Sequence, residues 1–150
     1  MADLVAEIWT ETQGLYEQSG LTCRWQVEGN VLPLCTDPGK LKVVLKNLVS
    51  NAVKFTQAGA ITVAAYEWRE GVEFSVTDTG IGIPPEARTS IFEPFWQGDS
   101  SDTRSYSGSG LGLHIVQRLL DLLGGRVTVE SEVGQGSTFR VWVPREPQRP

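Results

Sequence analysis

Asn47, Asn51 and Lys54 are spaced to share one edge of a helix, and Asp78 opens a run of alternate glycines, Asp78-Thr79-Gly80-Ile81-Gly82-Ile83. A second such run, Gly108-Ser109-Gly110-Leu111-Gly112-Leu113, lies further along. Asparagine oxygens suit a hard cation that shares its shell with phosphates, as Mg2+ does. Lys54 can neutralise a phosphate tail. A half-buried carboxylate at Asp78 can accept the exocyclic amine of adenine, whereas guanine would present a carbonyl to it and leave the acid unpaired. Glycines let backbone approach a flat ligand closely, and backbone N–H groups at a helix start bind phosphate. Taken together, these groups point to ATP with Mg2+.

Each group alone has a plainer reading. On a wheel of about 100° per residue, Asn47, Asn51 and Lys54 fall within roughly 60°, Lys40 joins them, and Leu41, Val44, Leu45, Leu48 and Ala52 form the adjacent apolar arc. That edge is also what a merely solvated helix side would carry. Asp78 would serve equally as a cap at a strand end. Asp-Thr-Gly is the tripeptide of aspartic proteases too, but that reading leaves the asparagine helix and the second glycine run unexplained. The second run is G-x-G-x-G, not the dinucleotide G-x-G-x-x-G, and no G-x-x-x-x-G-K-[ST] occurs, which excludes P-loop chemistry. Arg104 and Tyr106 precede it in a polar stretch, with Arg104 a partner for a terminal phosphate. Phe92 and Phe95 flank Glu93-Pro94 as apolar anchors for the start of that stretch.

The elements that must hold these residues are legible from periodicity. Leu4, Ile8 and Leu15 give a helix from about Leu4 to Gln18, stopped by Ser19-Gly20. Thr22 to Val27 alternate as a strand, with Cys23, Trp25 and Val27 on one face. Asp37-Pro38 starts a helix running to about Phe55. Ile61–Trp68 and Val72–Asp78 read as a hairpin turning at Arg69-Glu70-Gly71. Pro84-Pro85 opens a short helix reaching Ile91. Residues 96–108 read as a mobile lid and Leu111–Leu123 as an amphipathic helix closed by Gly124-Gly125. Arg126–Ser131 and Thr138–Val143 are strands around Gly134-Gln135-Gly136, and the tail from Pro144 is expected to fray. About five strands and three helices in this order imply an α/β (α+β) two-layer sandwich, a mixed sheet with helices on one face.

The 150 residues are 40% hydrophobic and 21% charged, with a net charge of −5. Length and composition fit one soluble domain. Without a basic stripe, no nucleic acid is expected as a partner. No apolar run approaches the roughly 18 residues that span a bilayer, so no direct membrane contact is expected. Cys23 and Cys35 match no metal-ligand spacing and read as reduced thiols.

The four blocks Asn47–Thr56, Asp78–Ile83, Phe92–Phe95 and Gly108–Leu113 resemble the N box, first glycine box, F box and second glycine box of sensor histidine kinase catalytic domains, of the Bergerat-fold ATPase superfamily. Gly134-Gln135-Gly136-Ser137-Thr138-Phe139 is similar to the last glycine-rich element, and Phe95–Leu113 to the lid of hybrid-type kinases. The resemblance implies that Asn51 ligates magnesium, that Asn47, Lys54 and Arg104 serve phosphoryl transfer, and that Phe55 packs beside adenine. Asp78 would bind the adenine amine with Thr138 in support. Gly80, Gly82, Ile83, Tyr106, Gly108, Gly110, Leu111, Gly112 and Leu113 would complete the nucleotide site. Ser107 and Ser109 depart mildly from the family pattern. Relatives that hydrolyse ATP, such as DNA gyrase B and heat-shock ATPases, carry glutamate where this chain has Asn47, so slow hydrolysis is implied.

The family's phosphate acceptor is a histidine with an acidic neighbour. The sole histidine, His114, is followed by Ile115 and Val116 and shares a polar helix face with Gln117, Arg118 and Asp121. The resemblance therefore implies a separate dimerisation and histidine phosphotransfer domain as partner, adjoining residues 1–19, with a response regulator receiver domain served indirectly. It also implies a cytoplasmic, monomeric fragment of a longer kinase that is itself soluble or membrane-anchored. A nucleotide-dependent interaction module without transfer, and a serine kinase of the same superfamily, are the alternatives.

Overall fold

Asp37 lies in extended backbone and its carboxylate accepts from the N–H groups of Gly39 and Lys40 at 2.9 and 3.2 Å, so the helix begins at Pro38 where the sequence places a proline and a cap. In the computed structural model, which describes residues 2–27, 36–56, 58–88, 90–93 and 112–146, this helix is the second of three. The elements are α1 (Ala2–Ser19), β1 (Thr22–Val27), α2 (Pro38–Phe55), β2 (Ala60–Trp68), β3 (Gly71–Asp78), α3 (Gly112–Leu123), β4 (Arg126–Glu132) and β5 (Gly136–Pro144). The strands form one mixed sheet in the order β1-β2-β3-β5-β4, with β1 parallel to β2 and the remaining pairs antiparallel.

The helices cover one face of this sheet. Leu41, Val44, Leu45, Leu48, Val49 and Ala52 of α2 are buried in one cluster with Ile61, Val63 and Ala65 of β2, Val72, Phe74 and Val76 of β3, and Val116 and Leu120 of α3. This is the alternate-residue face of each strand meeting the apolar stripe of each helix. α1 contributes Ile8, fully buried, and is tied to α2 by ion pairs from Lys42 and Lys46 to Glu11 at 2.7 and 2.9 Å. Those pairs are solvent-facing and contribute little. The uncovered sheet face is polar, with Tyr66 hydrogen-bonded to Glu73, Arg140 paired to Glu130 at 2.9 Å, and Thr77 bonded to Thr138 at 3.1 Å.

The structure departs from the sequence reading in two places. Where one short helix from Pro84 to Ile91 was expected, the described residues form two single 3-10 turns, Pro85–Ala87 and Ser90–Phe92. A stretch this short cannot offset the cost of nucleating an α-helix. At the other end, Pro144 is buried and pairs with Gly71, and Arg145 donates its N–H to Glu70 O at 3.0 Å and its guanidinium to Glu67 at 2.9 Å. β5 thus stays paired through Pro144, where fraying was expected.

The β2–β3 hairpin turns on Arg69 and Glu70, both left-handed at φ 46° and 58°. A two-residue turn of this kind favours Asn-Gly, because L-residues with a Cβ cost roughly 1–2 kcal/mol each there. Arg69 recovers part of that by stacking on Trp68, 4.3 Å from the ring centroid, worth about 0.5 kcal/mol on an exposed surface. The double substitution Arg69→Asn, Glu70→Gly is therefore expected to raise stability by about 1 kcal/mol. Urea unfolding would show it as a higher midpoint at unchanged slope.

Candidate nucleotide site

β3 ends at Asp78, and antiparallel pairing sets Ser137 of β5 directly across from it. The Asp78 side chain is buried, 6% exposed, and one carboxylate oxygen accepts the Gly80 N–H at 2.9 Å. Burial pushes its pKa up from the ordinary aspartate range, against the N–H groups of Gly80 and Ser137, which pull it down. A buried acceptor at a strand end, beside bare backbone, is what adenine recognition requires.

The chain after Asp78 threads a gap that only glycine fits. Ile81 N–H donates to Phe55 O at 3.1 Å, and a Cβ on Gly80 would overlap that same carbonyl oxygen. On the other side, Gly134 N–H donates to Ile81 O at 2.8 Å, and Gly82, at φ 76°, presses against the Glu132 carbonyl. The segment is clamped between the end of α2 and the β4–β5 turn, which fixes Asp78 relative to both.

The asparagines converge on the start of α3. A Cβ on Gly112 would stand 3.1 Å from Asn47 Oδ1 and 3.9 Å from Asn51 Nδ2. The first N–H groups of a helix lack intrahelical partners and carry partial positive charge, and the Asn47 oxygen and the Asn51 amide nitrogen face them across a short gap. Asn47 Nδ2 donates to Val43 O at 2.8 Å, which turns its oxygen toward Gly112. Among the described residues no group of three His, Cys, Asp or Glu could hold a metal alone. Asparagine oxygens fit an ion that takes its other ligands from phosphates and water, and the donor set therefore fits Mg2+.

The remaining expected residues divide clearly. Lys54 is exposed on the same helix and has no ion-pair partner among the described residues. Phe55 is half-buried beside the glycine segment. Leu113 is buried in the core, so only its backbone is left for a ligand. Ile83 packs against the core and its N–H is taken by Ser131 Oγ at 2.7 Å. Phe92 meets Phe139 edge-on at 6.4 Å and anchors the 3-10 turns to β5. Lys40 is removed from the site by its pair with Asp37 at 2.7 Å. Arg104, Tyr106, Gly108, Gly110 and Leu111 lie outside the described residues, as do the expected lid and Cys35. Cys23 is a free, half-buried thiol whose pKa burial raises.

One assignment is corrected. Thr138 does not support Asp78: strand alternation turns its side chain to the opposite sheet face, where it bonds to Thr77 at 3.1 Å. Ser137 is the hydroxyl residue that stands on the Asp78 face. Ser131, on the inward face of β4, was not singled out by sequence reasoning. The signal that could have found it is a polar residue in the inward phase after Val127 and Val129.

A buried carboxylate at a strand end, with asparagines opposite a glycine-opened helix, fits an ATP-binding domain on a two-layer α/β scaffold. Residues 36–147 match the histidine kinase-, DNA gyrase B- and HSP90-like ATPase family, and the chain belongs to it. The circadian input-output histidine kinase CikA of Synechococcus elongatus is 47% identical over 123 residues, which are 81% of this chain and 16% of CikA. The chain thus spans a small part of that curated relative. Full-length ShkA in complex with AMPPNP superimposes with a TM-score of 0.85 at 36% identity, covering 99% of this chain and 30% of ShkA. The catalytic domain of histidine kinase ThkA superimposes at 0.84 with 27% identity, covering 98% of this chain and 93% of that domain. ThkA in complex with response regulator protein TrrA superimposes at 0.81 with 25% identity, covering all of this chain and 42% of that one. The fold is that of histidine kinase catalytic domains, and the relatives are sensor histidine kinases.

Proposed function

We propose that this domain binds Mg·ATP and transfers the γ-phosphate to a histidine on a separate dimerisation domain, from which a response regulator receives it. The observation that carries this reading is the pairing of the buried Asp78 acid with an amide, not a carboxylate, at Asn47. Asp78 holds adenine by its amine, and Phe55 packs beside the ring. Asn51, with Asn47 near it, would hold magnesium by its amide oxygen, and the ion would supply neutralisation of phosphate charge. Lys54 and Arg104 act on the phosphate tail, while the N–H groups at the start of α3 hold it. The acceptor imidazole nitrogen attacks the γ-phosphorus, the bond to the ADP oxygen breaks, and ADP leaves. Catalysis of such a transfer is mostly positioning and charge stabilisation. The ShkA complex with AMPPNP supports the nucleotide, and the ThkA–TrrA complex supports the response regulator as partner. The reaction proposed is a cytoplasmic one, in keeping with the resemblance to sensor histidine kinases.

An amide cannot take a proton from water, so the domain alone is expected to hydrolyse ATP far more slowly than about 1 s⁻¹, the low end of ordinary turnover. Incubation with γ-labelled ATP and a histidine-bearing two-helix domain tests the transfer. Acid-labile, base-stable label on that domain supports it. Sustained phosphate release without label on the acceptor would contradict it, and binding with neither would point to an interaction module.

A further inference from the structure

Ser131 sits on β4 with its side chain turned inward and 8% exposed. Its hydroxyl is engaged three times: it accepts the Ile83 N–H at 2.7 Å, lies 2.9 Å from the Gly136 carbonyl oxygen, and lies 2.8 Å from Ser137 Oγ. The Arg88 guanidinium donates to the Ser131 carbonyl, so the backbone of this residue is held as well. A serine hydroxyl has one proton and two lone pairs. Gly136 O can only accept, and it takes the proton. Ile83 N–H occupies one lone pair, and the other is left for the proton of Ser137. The Ser137 hydroxyl is thereby oriented with its proton toward Ser131, and its lone pairs lie on the strand face it shares with Asp78.

We propose that Ser131 is a positioning residue for base selection, fixing the Ser137 hydroxyl as an acceptor beside the Asp78 carboxylate and locking the Gly82–Ile83 backbone to the β4–β5 turn. The inference rests on the adenine reading of the site and deepens it. Two neighbouring acceptors favour a base that presents an amine and disfavour one that presents a carbonyl, because the unmatched acceptors would be left buried and unpaired. Removing the Ser131 oxygen frees the Ser137 proton to rotate toward a base carbonyl, so discrimination falls even where the fold is kept.

The test is competitive titration of ATP and ITP, which differ in an amine against a carbonyl at the same ring position, on wild type, Ser131→Ala and Ser131→Thr. Circular dichroism would first establish that each variant is folded. Wild type is expected to prefer ATP. Ser131→Ala is expected to lower the ATP-to-ITP affinity ratio about tenfold, in line with a lost buried hydrogen bond. Ser131→Thr keeps the hydroxyl and is expected to keep the ratio. If the alanine variant does not fold, Ser131→Cys fills the space with a group too weak a donor to hold Gly136, and the same fall is expected. Equal weakening of both nucleotides, with the ratio unchanged in folded Ser131→Ala, would overturn the proposal by making the hydroxyl merely structural. A wild-type protein that binds ATP no better than ITP would instead overturn the adenine reading itself, before any substitution is compared.

Discussion

Replacing Asp78 by asparagine is expected to abolish ATP recognition while making the folded domain more stable. In Asp78→Asn the amide oxygen can still accept the Gly80 N–H that the carboxylate now holds at 2.9 Å. The other terminal atom then becomes an NH2, which meets the adenine amine donor to donor. Loss of a buried charged partner costs roughly 2–5 kcal/mol, so ATP affinity should fall by about 30-fold or more. The stability effect has the opposite sign because burial raises the folded pKa of Asp78. A raised carboxyl pKa contributes stability that is fully present below the unfolded value, near pH 4, and is lost as pH rises through the folded value. At neutral pH the ionised acid therefore weighs against folding, and the asparagine variant is expected to gain on the order of 1 kcal/mol. That gain should shrink toward zero as the pH is lowered below about 4, where the wild-type acid is neutral in both states. Denaturant unfolding of both proteins across pH checks the sign. A variant less stable than wild type at pH 7 would mean that the carboxylate is a structural cap, not a site acid kept at a cost.

The glycines of the β4–β5 turn should separate sharply in a second experiment. Gly134 and Gly136 both hold positive φ, 82° and 114°, so alanine at either position is strained. Around Gly134 there is open space, whereas a Cβ on Gly136 would overlap the Asp78 carbonyl oxygen and lie 2.9 Å from Thr79 Cα. Gly134→Ala is therefore expected to cost only the left-handed penalty, about 1 kcal/mol, with ATP binding kept. Gly136→Ala must also push back the backbone that carries Asp78, the acid proposed to read adenine. A cost of about 3 kcal/mol or more is expected, together with loss of ATP binding in whatever fraction stays folded. Equal effects of the two substitutions, measured by urea unfolding and nucleotide titration, would show that the turn does not bear on Asp78.

How far the sequence carried depended on whether a feature is local. The bounds of α2 were legible because Asp37 and Pro38 mark its start chemically and its apolar stripe has one period throughout. The β2–β3 hairpin was legible because alternation breaks at Arg69-Glu70. The convergence of Asn47 with Gly112 rests on two helices distant in sequence, and only the shared chemistry of the blocks suggested it. Thr138 was misplaced for a related reason. Ser137 and Thr138 are adjacent hydroxyl residues, and a strand can turn only one of them to the site. The choice is made by pairing Ser137 with Asp78 across the sheet, a long-range register that local periodicity does not reveal. Ser131 escaped notice because it looks like a strand-end polar residue, and its meaning depends on the Ile83 N–H and Ser137 hydroxyl that the fold brings to it.

The central claim is that Asp78 reads adenine in a magnesium-dependent ATP site, and calorimetric titration of the wild-type chain with Mg·ATP and with Mg·GTP tests it most directly. Saturable binding of ATP, weakened when magnesium is withheld and absent with GTP, is the result expected. Equal binding of the two nucleotides, or none of either by folded protein, would contradict it.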